Sequence, residues 1–293
     1  MYNCLLAKVS KTFVLPIIYR EKSFLFKVFK TCLLNLHYLC VMMYGIQLIN
    51  LSIGYSHHCV ASNLNAQLNN SSLTCLLGSN GVGKSTLLRT LAGFQPILSG
   101  DVRIGNASLC NISQKELSQK QSVVLTDKID ARNLTVNEVV AMGRMPYTNF
   151  WGRLSDSDHK IVQQCIEMMG LTSLSQQKIH TLSDGERQKT MLAKAMAQQT
   201  SIILLDEPTA FLDFKSKAET MQLLSHMAHQ YHKSILLSTH DIHLAVLFAD
   251  QLWLLSRHQP CLQMGSPQQL KGNGVLYSFL DCPPNYFELY DYL

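Results

Sequence analysis

The run Gly78-Ser79-Asn80-Gly81-Val82-Gly83-Lys84-Ser85-Thr86 follows the pattern G-x-x-x-x-G-K-[ST]. Glycines in such a run let the backbone curl around phosphates, while its N–H groups and the start of the next helix supply fixed positive potential. Lys84 is then placed to meet the β- and γ-phosphates of a nucleotide, and Ser85 offers its hydroxyl to Mg²⁺. Further along, Asp206 ends the apolar run Ile202-Ile-Leu-Leu205 and is followed by Glu207. A carboxylate at a strand end is a hard oxygen donor, suited to hold Mg²⁺ through water. Taken alone, Glu207 reads either as a reacting carboxylate or as a buried ion-pair partner. His240, in Ser238-Thr-His-Asp241, reads either as a phosphate contact or as a satisfied core histidine.

The elements that must carry these residues are legible around them. Leu73-Thr-Cys-Leu-Leu77 is an apolar run ending in glycine. Thr86 to Ala92 then places Leu87, Leu88 and Leu91 on one helical face before Gly93. The order strand, loop, helix is what a phosphate loop requires. Ile46 to Tyr55 reads as the first strand, with Asp101 to Ile104 and Gln121 to Leu125 as further ones. Ile202 to Leu205 and Ser234 to Leu237 are continuous apolar runs, as strands buried on both faces should be, and Leu252 to Leu255 adds another. Val136 to Met142, Asp156 to Met169 and a run after Gly185 have helical character, so a helical subdomain is expected between the two halves of the nucleotide core.

Composition narrows the partners. The chain carries 25 Lys and Arg against 20 Asp and Glu, but residues 1 to 44 hold six basic side chains against Glu21 alone. The rest is balanced at 19 of each, so the body has no net field to attract nucleic acid. Nine cysteines form no C-x-x-C pair, which disfavours a zinc knuckle or a disulfide framework. Thr31 to Ile53 is uncharged and long enough to span a bilayer, yet Asn35, His37, Gln47 and Asn50 interrupt it and the first strand would be consumed. Residues 1–44 are therefore set apart as an extension outside the domain, with translation expected to begin at Met42 or Met43. The domain is expected over 45–258, with a short appendage over 259–293. His226, His229 and His232 recur every three positions on a helix, a spacing open to metal but more suited to a solvated face.

One further motif decides the family. Leu182-Ser-Asp-Gly-Glu-Arg-Gln188 places Ser183 23 residues ahead of Asp206. Together with the glycine loop and Asp206-Glu207, this resembles the ATP-binding cassette (ABC) ATPases over residues 46 to 256. The resemblance implies an α/β P-loop NTPase core of RecA type, with an antiparallel β subdomain and an inserted α-helical subdomain. It implies that Glu207 polarises the water attacking the γ-phosphate of ATP, that His240 contacts that phosphate, and that Tyr55 stacks on adenine, a plain strand-end tyrosine being the alternative. It further implies that Ser183 and Gly185 face the nucleotide of a second copy of the chain, and that Asp213 lies in the loop linking the two sites. Two departures stand out. Asp184 occupies a place where the family has glycine, and Asp127 the place of a glutamine that meets Mg²⁺ and the attacking water; a carboxylate can ligate Mg²⁺ but cannot donate when ionised.

Gly143-Arg-Met-Pro-Tyr147, Gly152-Arg-Leu-Ser155 and Asp158 resemble the ATPase subunits of importers for ferric siderophores, haem and cobalamin. That resemblance implies a peripheral subunit on the cytoplasmic face of the cell membrane, partnered by integral permease chains and indirectly by a substrate-binding protein. The alternative for Arg144 and Tyr147 is a helix cap and a packing residue. The rival reading is a regulatory or non-transport ABC ATPase with weak turnover, suggested by Asp127.

Overall fold

A computed structural model describes residues 44–56, 58–125, 133–258 and 261–282. The chain divides into Met1–Met43 and Tyr44–Leu293. The first of these units, Asp127 and residues 283–293 lie outside the described residues. No helix among the described residues is long and apolar enough to cross a membrane.

The second unit contains two sheets. Strands β1 (Tyr44–Tyr55), β2 (His58–Asn69), β4 (Ser99–Ile104) and β5 (Ala107–Ser108) form an antiparallel sheet in the order β2-β1-β4-β5. The other sheet has the order β10-β9-β3-β8-β7-β6. In it β3 (Leu73–Leu77), β6 (Gln121–Val124), β7 (Ile202–Leu205), β8 (Ser234–Ser238) and β9 (Gln251–Leu255) run parallel. Only β10 (Leu262–Gly265) runs against its neighbour. The helices in chain order are α1 (Lys84–Leu91), α2 (Gln114–Lys120), α3 (Val136–Ala141), α4 (Asp156–Met168), α5 (Asp184–Ala197), α6 (Phe214–Gln230), α7 (Ile242–Phe248), α8 (Pro267–Gly272) and α9 (Val275–Leu280).

Period-two alternation explains why the central strands are apolar throughout. On one face of the parallel sheet, Leu73, Cys75, Leu77, Ile203, Leu205, Ile235 and Leu237 join a core with α3, α4, α5 and α6. On the other face, Leu76, Ile202, Leu204, Leu236 and Trp253 pack with α1 and the inner side of the antiparallel sheet. Burial in that sheet alternates, as at Leu64, Ala66 and Leu68 of β2. The sequence reading missed this strand. Asn50 and Asn63, both with positive φ, break its register with β1, and their side chains bond to Asn65.

Local chemistry fixes the helix starts. Reciprocal capping boxes join Ser113 to Glu116, Thr135 to Glu138, Ser155 to Asp158 and Ser183 to Glu186. In the helical insertion, the 3₁₀ turn Met142–Tyr147 carries Arg144 into the interior, where it is 5% exposed. Its Nε donates to Asp158 Oδ1 at 2.8 Å, and one Nη donates to the Ala197 carbonyl at 2.8 Å and to Gln199 Oε1 at 3.0 Å. The guanidinium also lies 4.1 Å from the Tyr147 ring centroid, while the Tyr147 hydroxyl donates to the Gln198 carbonyl at 2.9 Å. Arg144 and Tyr147 thus tie the start of α4 to the end of α5, where Arg144 caps the last helical carbonyl, at Ala197, and Tyr147 packs against its guanidinium.

Candidate active site

Because β3, β7, β8 and β9 run parallel, the loops leaving their C-terminal ends share one edge of the sheet, where a doubly wound fold collects its ligand-binding groups. Gly78 follows β3, Asp206 follows β7, and Thr239 with His240 follows β8. The glycine loop runs from β3 into α1, whose first residue is Lys84. Gly83 has φ +115°, and a Cβ built there would lie 2.6 Å from Val60 Cγ1, so both its backbone angle and the β2 strand above it require glycine. Val82 is buried in the core beneath and offers a ligand only its backbone. Ser79, Asn80 and Gly81 form the tip, and Ser85 and Thr86 lie in the first turn of α1.

Lys84 Nζ donates to the carbonyls of Gly78 at 2.8 Å and Ser79 at 3.3 Å. Burial lowers the pKa of this ammonium, and the carboxylates of Glu207 and Asp206 oppose the shift. Ser85 Oγ donates to Asp206 Oδ1 at 3.2 Å, so a hydroxyl and a carboxylate from distant segments meet at the loop's end. Both are hard oxygen donors. Mg²⁺ suits such a set, because it is commonly bound through one or two protein oxygens plus phosphate and water. No group of three or more His, Cys, Asp or Glu side chains able to hold a metal by itself occurs among the described residues.

Ser238 is a member of the site that the sequence reading missed. Fully buried at the end of β8, it donates to Asp206 Oδ1 at 2.7 Å and accepts from the Glu207 backbone N–H at 2.9 Å. One hydroxyl thus orients the carboxylate before it and the chain after it; a serine closing an apolar strand was the available signal. The Asp206 N–H donates to the Val124 carbonyl at 2.8 Å, fixing the same corner to β6. Glu207 has φ +49°, a costly angle for a side chain of its size and one that tends to persist at functional positions. Its Oε1 lies 2.5 Å from His240 Nε2. Glu207 and His240 are accordingly paired with each other, both partly open to solvent, rather than buried as core residues.

The remaining candidates are distributed differently. Tyr55 ends β1 opposite His58 and is 51% exposed, on the hairpin whose Val60 overlies Gly83. Ser183 caps α5, where its hydroxyl donates to Glu186 Oε2 at 2.7 Å, and Gly185 lies in the first turn. These bonds lower the Glu186 pKa. Asp184 is held by Arg187 at 2.6 Å, so the extra carboxylate of the signature is neutralised within its own helix. Asp213 caps α6 by accepting from the Ser216 N–H at 2.8 Å. None of the hydrogen bonds of Ser183 or Asp213 reaches the glycine loop. Gln121, too early in its strand to stand in for Asp127, is buried and donates to the Leu91 carbonyl. His226 and His229 lie on an exposed helix face, the latter bonded to Asp250.

Comparison with known proteins bears on the family and the fold. The family described as ABC transporter matches residues 61–210. The petrobactin import ATP-binding protein of Bacillus anthracis is 31% identical, the match covering 78% of this chain and 84% of that protein. A solved transporter assigned to the metal-chelate type, in an inward-facing conformation, is 25% identical with a TM-score of 0.70, the match covering 82% of this chain and 90% of that one. An ATP-binding cassette in a dimeric post-hydrolysis state, bound to ADP and Pi, is 27% identical with a TM-score of 0.61, covering 71% and 93%.

Proposed function

This chain belongs to the ABC transporter family as an ATP-binding subunit whose ATP hydrolysis is coupled to transport, and we propose that two copies of it drive an importer of ferric siderophores, haem or cobalamin. The observation that carries the catalytic reading is the bonded set at the strand ends: Lys84 on the loop carbonyls, Ser85 and Ser238 on Asp206, and Glu207 on His240. ATP is the substrate, cradled by the backbone N–H groups of the loop from Gly78 to Thr86. Lys84 exchanges its carbonyl partners for the β- and γ-phosphates, and Tyr55 stacks on the base.

Ser85 and Asp206, with Asp127 outside the described residues, are the oxygens that would hold Mg²⁺. The ion supplies charge neutralisation on the phosphate oxygens when bound. Glu207 accepts a hydrogen bond from the attacking water and orients it in line. Its positive φ turns the carboxylate out from the strand end, and His240 fixes its rotamer. On phosphate binding, His240 can share its contact between Glu207 and the γ-phosphate, which makes it a reporter of that group's departure.

Ser183 and Gly185 act on the other copy's nucleotide. The α5 N-terminus is a ready site for an anion, and the Ser183 hydroxyl has only to turn from Glu186. Asp213 connects the two sites. Support for the paired arrangement comes from the dimeric relative bound to ADP and Pi. Support for the cargo comes from the petrobactin importer subunit and the metal-chelate transporter. Integral permease chains and a substrate-binding protein complete the assembly, which places this subunit on the cytoplasmic membrane face.

Steady-state ATPase assay of Glu207→Gln tests the catalytic reading. Turnover should fall on the order of a hundredfold or more with nucleotide binding retained; turnover indifferent to the change removes Glu207 from this role. Uptake of radiolabelled ferric siderophore, haem and cobalamin by cells lacking the chain tests the cargo, and normal uptake of all three refutes it.

A further inference from the structure

The β9–β10 connection brings a second cation to the glycine loop. Leu252 to Leu255 of β9 are fully buried, and the hairpin base is closed by the Ser256 N–H donating to the Cys261 carbonyl at 2.8 Å. The end of β9 abuts the root of the loop, since a Cβ built on Gly78 would lie 2.8 Å from the Leu255 carbonyl. Two residues on, Arg257 extends along the loop's outer side, and one of its Nη atoms donates to the Gly81 carbonyl at 3.4 Å. Among the described residues this is the only hydrogen bond of its guanidinium, and it takes part in no ion pair.

Gly81 occupies a demanding place. The Val82 N–H donates to the Ser79 carbonyl at 3.3 Å, so Ser79 to Val82 form a β-turn with Gly81, at φ +69°, as its third residue. The carbonyl that Arg257 holds and the N–H that closes the turn belong to one planar peptide and point in opposite directions. A donor on the carbonyl therefore fixes and polarises the turn bond on the other side. The Ser79 carbonyl also receives Lys84 Nζ. A chain of bonds thus runs from Arg257 through the Gly81–Val82 peptide and Ser79 to Lys84, and its last link must break when Lys84 moves to phosphate.

We propose that Arg257 is a positioning residue for nucleotide binding, pinning the Gly81–Val82 peptide from outside so that the loop keeps its curl once Lys84 has left the Ser79 carbonyl. This rests on the reading of the loop as the nucleotide site. The effect acts on loop geometry and is therefore shared by ADP and ATP. It is also distinct from a charge on the γ-phosphate.

The test measures binding of fluorescent ATP and ADP analogues to the full chain, with ATPase kinetics alongside. Arg257→Met should weaken both nucleotides about tenfold, as for loss of one exposed hydrogen bond from a charged group. KM should rise to match, with kcat at saturation held. Arg257→Lys, which keeps a cationic donor, should recover most of the affinity. Parental affinity in the Met variant overturns the inference, as does a loss confined to ATP or one that tracks a fall in unfolding temperature. Lys84→Ala separates the premise from the inference. Undiminished binding in that variant defeats the nucleotide-site reading itself, whereas loss there with no effect at Arg257 defeats only the role of Arg257.

Discussion

The strand-end rim and the helical insertion both carry candidate functional residues, but they spend their polar bonds in opposite ways. At the rim, Ser85 meets Asp206 across 121 residues of chain, and Ser238 meets Asp206 across 32. The functional groups hold one another. In the insertion the buried polar cluster of Arg144, Asp158 and the Ala197 carbonyl holds the subdomain's shape, while Ser183 is exposed and satisfied by its own helix start. A parallel sheet can assemble a site within one chain because its strand ends coincide. The helix start at Ser183 presents an exposed face, which on our proposal becomes a site against a second copy.

The largest effect that would sharpen this contrast is on folding. Arg144→Met leaves Asp158 buried without its cation and should cost about 3–5 kcal/mol in urea unfolding. Nucleotide bound by the folded fraction should be unchanged, because no rim bond involves Arg144. A variant that stays stable but loses nucleotide would erase the distinction between the regions.

Next in size is a pair of changes read in the same assay. Lys84→Ala should lose nucleotide affinity in its own pocket, whereas Ser183→Arg should bind nucleotide normally and lose turnover on the order of a hundredfold. Co-assembling the two variants leaves one intact composite pocket and should restore part of the activity. Recovery of none, with mixed dimers demonstrated, breaks the claim that the insertion acts on a neighbour's nucleotide.

The same contrast separates what could be read in advance from what could not. Gly78 to Thr86 was legible because a backbone that must take φ +115° beneath a neighbouring strand writes its requirement as glycine. Asp206 was legible because it ends an unbroken apolar run. Ser238 was not, since one hydroxyl in such a run acquires meaning only when two other strand ends stand beside it. The strand β2 escaped because its alternation is interrupted where Asn63 turns to positive φ. Arg144 belonged to a short recognisable pattern, yet its burial depends on the α5 terminus more than fifty residues later. Asp184 departs from the family's glycine, and Arg187, three residues along the same helix, takes up its charge.

The smallest effect lies inside the insertion and tests whether its polar cluster is tuned for shape. Hydrogen bonds from the Ser155 side chain and backbone, then the Arg144 guanidinium, lower the Asp158 pKa from 3.8 to about 2. A carboxyl depressed on folding contributes stability that is fully present above its unfolded pKa and is lost as pH falls through its folded one. The window here is therefore about pH 4 to 2. Ser155→Ala removes the leading cause together with the α4 cap, and should cost about 1 kcal/mol at neutral pH. It should also bring the folded pKa of Asp158 back toward 3.8, so the acid loss specific to this group shrinks and shifts to higher pH. Urea midpoints across that range check both effects. An acid limb identical to the parent's would mean that the Ser155 backbone N–H and Arg144 set the Asp158 charge without the hydroxyl, and that the hydroxyl contributes to the helix without tuning the ion pair beneath it.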